Sequence, residues 1–291
     1  MNTAPSVLDR LIAGLFVVLP HHAISRITLA LSRSESRWLS QRLIRLIIKQ
    51  FKVDMSEALE SNPANFATLN AFFTRALKPG ARPLAADPNA LLCPADGALS
   101  EFGRIDRGRL LQAKGYHYDA QSLLGGQGEL ALPFYDGAFA TVYLSPRDYH
   151  RVHMPCDGRL THMIYVPGRL FSVSPRTTRT TPEIFTRNER VIALFDTALG
   201  RMAMVLVGAI NVAAIETVWA GLVTPPPGKR VRMEVYDPPM VLPRGVEMGR
   251  FNLGSTVVLL TERRDLDWAA DLAVGMPVHL GRALTRETTT A

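Results

Sequence analysis

Short apolar segments between residues 92 and 262 constrain the fold of this chain more than any other feature. They are rich in β-branched and aromatic residues, most are four to eight residues long, and Gly, Pro or Asp bounds them, as is typical of strands. They do not alternate regularly with long helices, which disfavours a doubly wound α/β sheet. The clearest predicted strands are Phe139–Leu144, His162–Val166, Arg190–Phe195, Met202–Val207 and Val231–Tyr236.

Two turn segments repeat one pattern, Pro-x-Asp-Gly-x-Leu-[Ser/Thr]. They begin at Pro94 and Pro155, 61 residues apart. Because Pro fixes φ and Gly accepts a positive φ, each segment predicts a tight turn that leads into a strand. Chance is the alternative, since these are common turn residues, but five matched positions favour a repeat. We therefore predict a mostly antiparallel β core, either a sandwich or a barrel, built from two related halves.

Residues 1–76 have a helical pattern instead. The segment Arg37–Lys52 is the clearest helix, and a further helix is expected to begin at Asn62-Pro63 and to end before Lys78. In the first of these helices the apolar residues share one face and the basic residues another: Leu39, Leu43, Leu46 and Ile47 against Arg42, Arg45, Lys49 and Lys52. Such a basic amphipathic helix fits an acidic membrane surface, although a docked helix with a solvated basic face has the same pattern.

The charge and the apolar segments of the chain help to decide between membrane contact and a docked helix. The chain has a formal charge of +7 and a pI near 9.7, which favours anionic partners. Its longest apolar run, Leu11–Leu19, has nine residues, whereas a membrane span needs about 20. The run also lacks the flanking charges and cleavage site of a secretory signal. These features favour contact with a membrane surface without a span.

The predicted class is therefore α+β. A helical, membrane-associating region over residues 1–76 is followed by a proline-rich linker over 77–93 and a β-rich catalytic domain over 94–291. Two cysteines, Cys93 and Cys156, are too few for a disulfide framework or a thiolate metal site, and a reducing compartment is the simpler interpretation.

Three places could carry chemistry. His150 and His153 lie three residues apart before the second turn, and could be metal ligands, a general base or buried structural residues. Ser255 follows Gly254 at the start of an apolar strand, a weak signal by itself. With Asp96 in the first turn, the chain contains a hydroxyl, an imidazole and a carboxylate that could act as nucleophile, base and orienting group. Sequence alone does not bring them together.

A series of motifs runs from about Phe72 to the C-terminus. In chain order they are Phe72–Arg75, Leu77–Pro83, Pro94–Gly97, Lys114-Gly115, Tyr149–Pro155, Gly168–Val173, Asn188–Val191, Val207–Ala209 and Phe251–Thr256. On these motifs, in this order, the chain resembles the prokaryotic phosphatidylserine decarboxylases. One departure is Asn211-Val212-Ala213-Ala214, where the family usually has Gly-Ser after the Val.

The resemblance implies that the chain makes its own cofactor. Ser255 cuts the bond to Gly254 and becomes a covalent pyruvoyl group, which leaves a β chain of residues 1–254 and an α chain of residues 255–291. It further implies that His153 is the base for this step, with Asp96 as its orienting carboxylate. His150 is our candidate for the acid that protonates the carbanion after CO2 leaves phosphatidylserine. No metal is implied.

The product would be phosphatidylethanolamine, and the substrate would keep the enzyme on the cytoplasmic face of the cell membrane as a peripheral protein. A homodimer is plausible for the family, and no motif suggests nucleic-acid binding.

Two other functions would also fit these residues if the resemblance were set aside. One is a membrane-associated serine hydrolase that uses Ser255, His153 and Asp96, and the other is a non-catalytic lipid-binding β domain.

Overall fold

The structure is a computed structural model that describes residues 21–113, 115–210, 214–225, 230–252 and 254–286. The apolar run Leu11–Leu19 and the departure at 211–213 lie outside the described residues. The described part contains helices near its N-terminus and mostly antiparallel strands after residue 96, which confirms the α+β class.

Three helices near the N-terminus share a small apolar cluster. They are α1 (His21–Ser32), α2 (Arg37–Phe51) and α3 (Leu69–Phe73). The predicted helix at 37–52 is confirmed, and Lys52 ends it in the left-handed conformation. Within this helix Ile44 is buried and Leu46 is exposed, because α3 packs against the side that carries Ile44.

The single helix expected from Asn62 is wrong. Asn62 does act as a cap, since its side chain accepts a hydrogen bond from the Ala64 N–H at 3.0 Å, but only a 3₁₀ turn follows, Pro63–Asn65. The backbone is extended again at Phe66. Thr68 then caps α3 by accepting from the Ala71 N–H at 3.1 Å. Two capping residues in succession thus divide the segment into two short pieces.

An eight-stranded antiparallel sheet follows, in the order β11-β6-β7-β8-β13-β4-β1-β14. Its end strands do not pair with each other in the described part of the chain, so the sheet is not closed into a barrel. Its strands are β1 (Gly97–Arg104), β4 (Ala138–Leu144), β6 (Gly158–Val166), β7 (Arg190–Thr197), β8 (Gly200–Val207), β11 (Arg232–Leu242), β13 (Ser255–Thr261) and β14 (Pro277–Val278). All five strands predicted from the sequence lie within or overlap these elements.

Smaller elements complete the described part. A four-stranded sheet has the order β10-β9-β12-β5, and β2 and β3 form a hairpin. Their bounds are β2 (Arg109–Ala113), β3 (Tyr116–Asp119), β5 (Arg151–His153), β9 (Ile215–Thr217), β10 (Gly221–Leu222) and β12 (Glu247–Phe251). The remaining helices are α4 (Ala120–Leu123), α5 (Gly128–Ala131), a 3₁₀ turn (Leu132–Phe134), α6 (Pro175–Thr178) and α7 (Ile184–Arg187).

The two Pro-x-Asp-Gly segments lie side by side. The His153 N–H donates to the Pro94 carbonyl at 2.8 Å, and the Leu92 N–H donates to the Pro155 carbonyl at 2.9 Å. Each turn delivers a strand as predicted, β1 at Gly97 and β6 at Gly158. Each of these strands has a register shift at the same distance from its turn, between residues 99 and 101 and between 160 and 162. These matched contacts support our proposal of two related halves.

Strand β13 holds the central position that matters for the site. It pairs with β4 from Ser255 opposite Leu144 to Thr261 opposite Ala138, and with β8 along its other edge. Every residue of β13 is buried. Because hydrogen bonds fix both edges, the start of this strand is a rigid place for a reacting side chain.

Candidate active site

Ser255 is the first residue of β13 and is completely buried. None of the described residues forms a hydrogen bond with its Oγ. A buried hydroxyl without a partner is costly, so its presence calls for a functional explanation. A Cβ built on the preceding Gly254 would lie 3.8 Å from the Leu144 carbonyl oxygen, an ordinary contact distance.

A cavity of about 360 Å³ adjoins Ser255. Its walls come from the N-terminal helices on one side and from the strand ends and loops of the β core on the other. The lining is mostly apolar, with a few hydroxyl groups. It consists of Thr28, Ile47, Phe51, Leu69, Phe73, Tyr143, Leu144, Pro146, Ser172, Val173, Ser174, Ala209, Ile210, Gly254 and Ser255.

His150 lies beside this cavity and is also completely buried. Its ring packs against Phe73, which lines the cavity, with ring centroids 5.4 Å apart. Burial, and then the charge of Arg75, lower the pKa of His150 to about 3, while Asp96 and the Ser145 backbone oppose this. Ser145 directly follows Leu144, the partner of Ser255 in the sheet. His150 and Ser255 therefore lie near the same strand end, and the imidazole is neutral.

His153 lies on β5 and has a partner on each ring nitrogen. Its Nδ1 donates to the Gly245 carbonyl at 2.8 Å, and its Nε2 accepts from the Tyr149 hydroxyl at 3.2 Å. This arrangement places the proton on Nδ1 and leaves the lone pair on Nε2. Burial lowers the pKa of His153, against the hydrogen bond to Gly245. The side chain is thus held as a neutral imidazole whose lone pair lies on Nε2.

Asp96 is buried and is held by Arg82. The Arg82 Nε lies 3.0 Å from both carboxylate oxygens, and its Nη2 lies 2.6 Å from Oδ2 and 2.7 Å from Oε2 of Glu57. The Leu280 N–H donates to Asp96 at 2.8 Å. Among the described contacts none joins Asp96 to His153 directly. The Asp96 charge does act on both histidines, since it opposes the lowering of their pKa values that burial causes.

In the described part of the chain, hydrogen bonds therefore do not join the four predicted side chains into a preformed triad. Ser255 and His150 share one strand end, while His153 and Asp96 have other hydrogen-bond partners. Sequence reasoning missed the roles of Arg82, Arg75 and Tyr149, although all three stand in the motifs quoted above. Because a buried carboxylate requires a counter-charge, burial of Asp96 would have predicted an arginine beside it.

Among the described residues, no group of three or more His, Cys, Asp or Glu side chains could hold a metal ion. None of the helices in the described ranges is both long and apolar enough to cross a membrane.

Comparison with known proteins identifies the family. The family model for phosphatidylserine decarboxylase matches residues 69–286, and a second model, described as PSD, matches residues 13–52. The phosphatidylserine decarboxylase proenzyme of Alkalilimnicola ehrlichii is 58% identical over 88% of this chain and 90% of its own length. Those of Ectopseudomonas mendocina and Stutzerimonas stutzeri are 54% and 53% identical, over 92% and 97% of this chain and 94% and 96% of their own lengths. The chain therefore belongs to the phosphatidylserine decarboxylase family.

Proposed function

We propose that this protein decarboxylates phosphatidylserine to phosphatidylethanolamine and CO2, after cutting itself between Gly254 and Ser255. The observation that carries the proposal is the buried Ser255 hydroxyl, which forms no hydrogen bond with the described residues and adjoins an apolar cavity, in a chain whose relatives are named proenzymes. A proenzyme is cut to become active, and this hydroxyl directly follows the peptide bond that would be cut.

The cut needs only groups of this chain. The Ser255 Oγ attacks the Gly254 carbonyl carbon, its proton passes to a base, and the amide C–N bond breaks to leave an ester and a free amine. Loss of the Cα proton then expels the Gly254 carboxylate and leaves residue 255 as dehydroalanine. Water converts that residue to a pyruvoyl group and releases ammonia. The pyruvoyl carbonyl supplies the electron sink that decarboxylation requires.

We assign the base in this step to His153. Its Nδ1–H···O contact with Gly245 fixes the tautomer in which Nε2 can accept a proton. In this arrangement the Gly245 carbonyl orients the ring, and Asp96 contributes its negative charge. Tyr149 currently donates to Nε2, so its hydroxyl must turn away before His153 can take a proton from Ser255.

His150 remains our candidate for the group that delivers a proton after CO2 leaves. In the structure it is neutral, because burial and Arg75 lower its pKa to about 3. An anionic substrate bound next to it would counteract the effect of Arg75 and raise its pKa, since an opposite charge favours the protonated ring. Substrate binding would thereby prepare the proton donor.

The cavity suits an amphiphilic substrate. Apolar side chains of α2 and α3 line one wall, and Ser255 lies at the other. A diacyl lipid could keep its apolar portion on the helical side while its amino-acid headgroup reaches residue 255. Pockets of this kind combine an apolar lining with a few polar groups that orient the ligand.

The exterior of the same helices suits a membrane surface. Ile27 and Leu31 on α1 and Trp38 and Leu46 on α2 are exposed apolar side chains. Exposed basic residues lie among them, and the Arg42 guanidinium stacks 4.5 Å from the Trp38 ring. We propose peripheral association with anionic lipid on the cytoplasmic face of the cell membrane, where each basic residue contributes about 1 kcal/mol.

Intact-mass analysis with a decarboxylation assay on phosphatidylserine vesicles tests the proposal. We expect two chains, residues 1–254 and 255–291, and an active protein. Ser255→Ala should give one folded, uncut and inactive chain. Thr256→Val is the matched control, because Thr256 is the next residue, is equally buried and likewise has a hydroxyl without a hydrogen bond to any residue that the structure describes. It should be cut normally. An uncut Ser255→Ala chain with full activity would refute the proposal.

Two further variants separate the histidines. His153→Gln should remain uncut, because the chain then lacks its base. His150→Gln should be cut but should decarboxylate poorly. The reverse pattern would exchange the two assignments without affecting the proposed reaction.

A further inference from the structure

Three of the sequence motifs meet beside the cavity, although they are far apart in the chain. They are Gly168–Val173, Asn188–Val191 and Val207–Ala209. The first and the third contribute Ser172, Val173 and Ala209 to the cavity lining. None of the reacting groups proposed above belongs to these motifs, so we expect them to shape the site instead of taking part in its chemistry.

Asn188 joins the first motif to the third. Its side chain is completely buried, and its amide makes three hydrogen bonds. The Oδ1 accepts from the Phe171 N–H at 3.0 Å, and the Nδ2 donates to the carbonyls of Phe171 and Gly208 at 2.9 and 2.8 Å. Because an unpaired buried polar group is costly, neither of these two segments can move away from the amide without a free-energy penalty.

Main-chain contacts fix the same two segments. The Glu189 N–H donates to the Arg169 carbonyl at 2.8 Å, and the Gly208 N–H donates to the Glu189 carbonyl at 2.8 Å. Gly168 allows this close approach, because a Cβ at its position would lie 2.5 Å from the Asn188 carbonyl carbon. Both segments are thus attached to the stretch of chain that leads into β7.

The wall that these segments form lies next to the reacting residue. Strand β8 ends one residue before Gly208 and pairs with β13 in a register that places Val207 opposite Thr256. Gly208 therefore lies at the level of Ser255. The amide that holds Gly208 also holds the loop that supplies two serine hydroxyls to the cavity. A ligand beside residue 255 would contact both segments, so its affinity depends on the distance between them.

We propose that Asn188 is a positioning residue for substrate binding. It sets the distance between the loop 171–174 and the strand end 208–210, and so shapes the part of the cavity that receives the serine headgroup. This inference rests on the proposed function, which places phosphatidylserine in the cavity. Asn188 does not line the cavity itself and acts only through the two segments. Its loss should therefore weaken substrate binding and leave the chemical step nearly unchanged.

A matched pair of variants separates positioning from stability. Asn188→Asp keeps the shape of the side chain but replaces the Nδ2 donor with an oxygen, so at least one of the Phe171 and Gly208 carbonyls loses its hydrogen bond. Gln112→Glu is the control. Gln112 is also buried, donates from Nε2 to two carbonyls at 2.8 and 2.7 Å and accepts one N–H at 2.7 Å. The segment that it holds, residues 178–184, does not line the cavity.

Steady-state kinetics on a short-chain, water-soluble phosphatidylserine test the proposal. Asn188→Asp should be cut normally and should raise KM at least about fivefold, with kcat within about twofold of the wild type. Gln112→Glu should lower the melting temperature about as much but should keep KM within about twofold. Equal changes of KM in the two variants, an unchanged KM in Asn188→Asp, or a loss confined to kcat would overturn the proposal.

A binding measurement makes the test independent of turnover. The uncut Ser255→Ala protein is titrated with the same lipid by calorimetry, and adding Asn188→Asp should raise the Kd at least about fivefold. Ser172→Ala is a milder second variant, because Ser172 is only half-buried, and it should raise the Kd at least about twofold. Unchanged binding in both variants would refute the role of Asn188 alone. A Ser255→Ala parent that binds no phosphatidylserine would instead overturn the proposed function, and this inference with it.

Discussion

The contact between Arg82 and Asp96 allows a stability prediction to be worked out from the structure. The side chains of Arg82 and Asp96 are only 10% and 5% exposed, and three of the four close contacts to the carboxylate come from Arg82. Burial lowers the pKa of Arg82, but its hydrogen bonds to Asp96 and Glu57 outweigh burial and raise the pKa. Arg82 is therefore charged, and its guanidinium is the main counter-charge of the buried Asp96 carboxylate.

Removing Arg82 should lower the free energy of unfolding more than neutralising Asp96 does. In Arg82→Ala, Asp96 keeps the Leu280 N–H and lies 3.6 Å from the exposed His279. Breaking a buried ion pair from one side typically costs about 3–5 kcal/mol of unfolding free energy, and we expect this range. Asp96→Asn leaves Arg82 paired with Glu57, so the expected cost is smaller, about 1–3 kcal/mol.

Urea unfolding of the single-chain Ser255→Ala protein, followed by circular dichroism at pH 7, measures these costs. The double variant R82M/D96N should lose clearly less than the sum of the single losses, because neither charge is left buried alone. Arg264→Ala is the control. Its ion pair with Asp136 is equally short, at 2.6 Å, but about half exposed, so its loss should cost at most about 1 kcal/mol. Equal costs for Arg82→Ala and Arg264→Ala, or strict additivity in the double variant, would refute this reasoning.

Three further predictions follow from buried groups. After cleavage, fragment 255–291 should remain bound, since β13 is paired on both edges; native mass spectrometry should give one mass and denaturing conditions two. The pKa of His150 falls from 6.5 to about 3 on folding, so the unfolded state binds the proton between these values. Stability should fall as the pH drops from 6.5 towards 3, by up to about 1.4 kcal/mol per pH unit, and His150→Phe should reduce this slope in urea titrations at several pH values. Arg190 is buried and donates to the carbonyls of Ser122, Leu123, Thr186 and Asn188, so Arg190→Met removes four hydrogen bonds at once. The variant should fail to fold, or its melting temperature should fall by more than 10 °C in a thermal scan.

The sequence predicts strands better than it predicts helix boundaries in this protein. Each predicted strand has several apolar residues and a clear Gly, Pro or Asp boundary, and local pattern suffices for such elements. The segment after Asn62 contains two competing caps, Asn62 and Thr68, and pattern alone does not show that both are used. The pattern of α2 also does not show which of its apolar residues are buried, because the orientation of the helix depends on where α3 packs.

The candidate site was predictable in its residue types but not in its hydrogen bonds. The Gly-Ser step and the two histidines can be read from local sequence. The partners of Asp96 and His153 cannot, since Arg82 and Gly245 are 14 and 92 residues away from them. Likewise, the low pKa of His150 results from its burial against Phe73 and near Arg75, which only the folded chain establishes.

The position of Ser255 at the start of β13 has a consequence for the state of the chain after cleavage. A newly made chain terminus normally frays, because its first residues lose their covalent restraint and regain conformational entropy. Here residue 255 would become an N-terminus while it lies opposite Leu144 in a ladder that is fixed on both edges further along. The terminus would thus be created already immobilised. The entropy needed to order the reacting end is lost once, when the chain folds, and need not be lost again in each catalytic cycle.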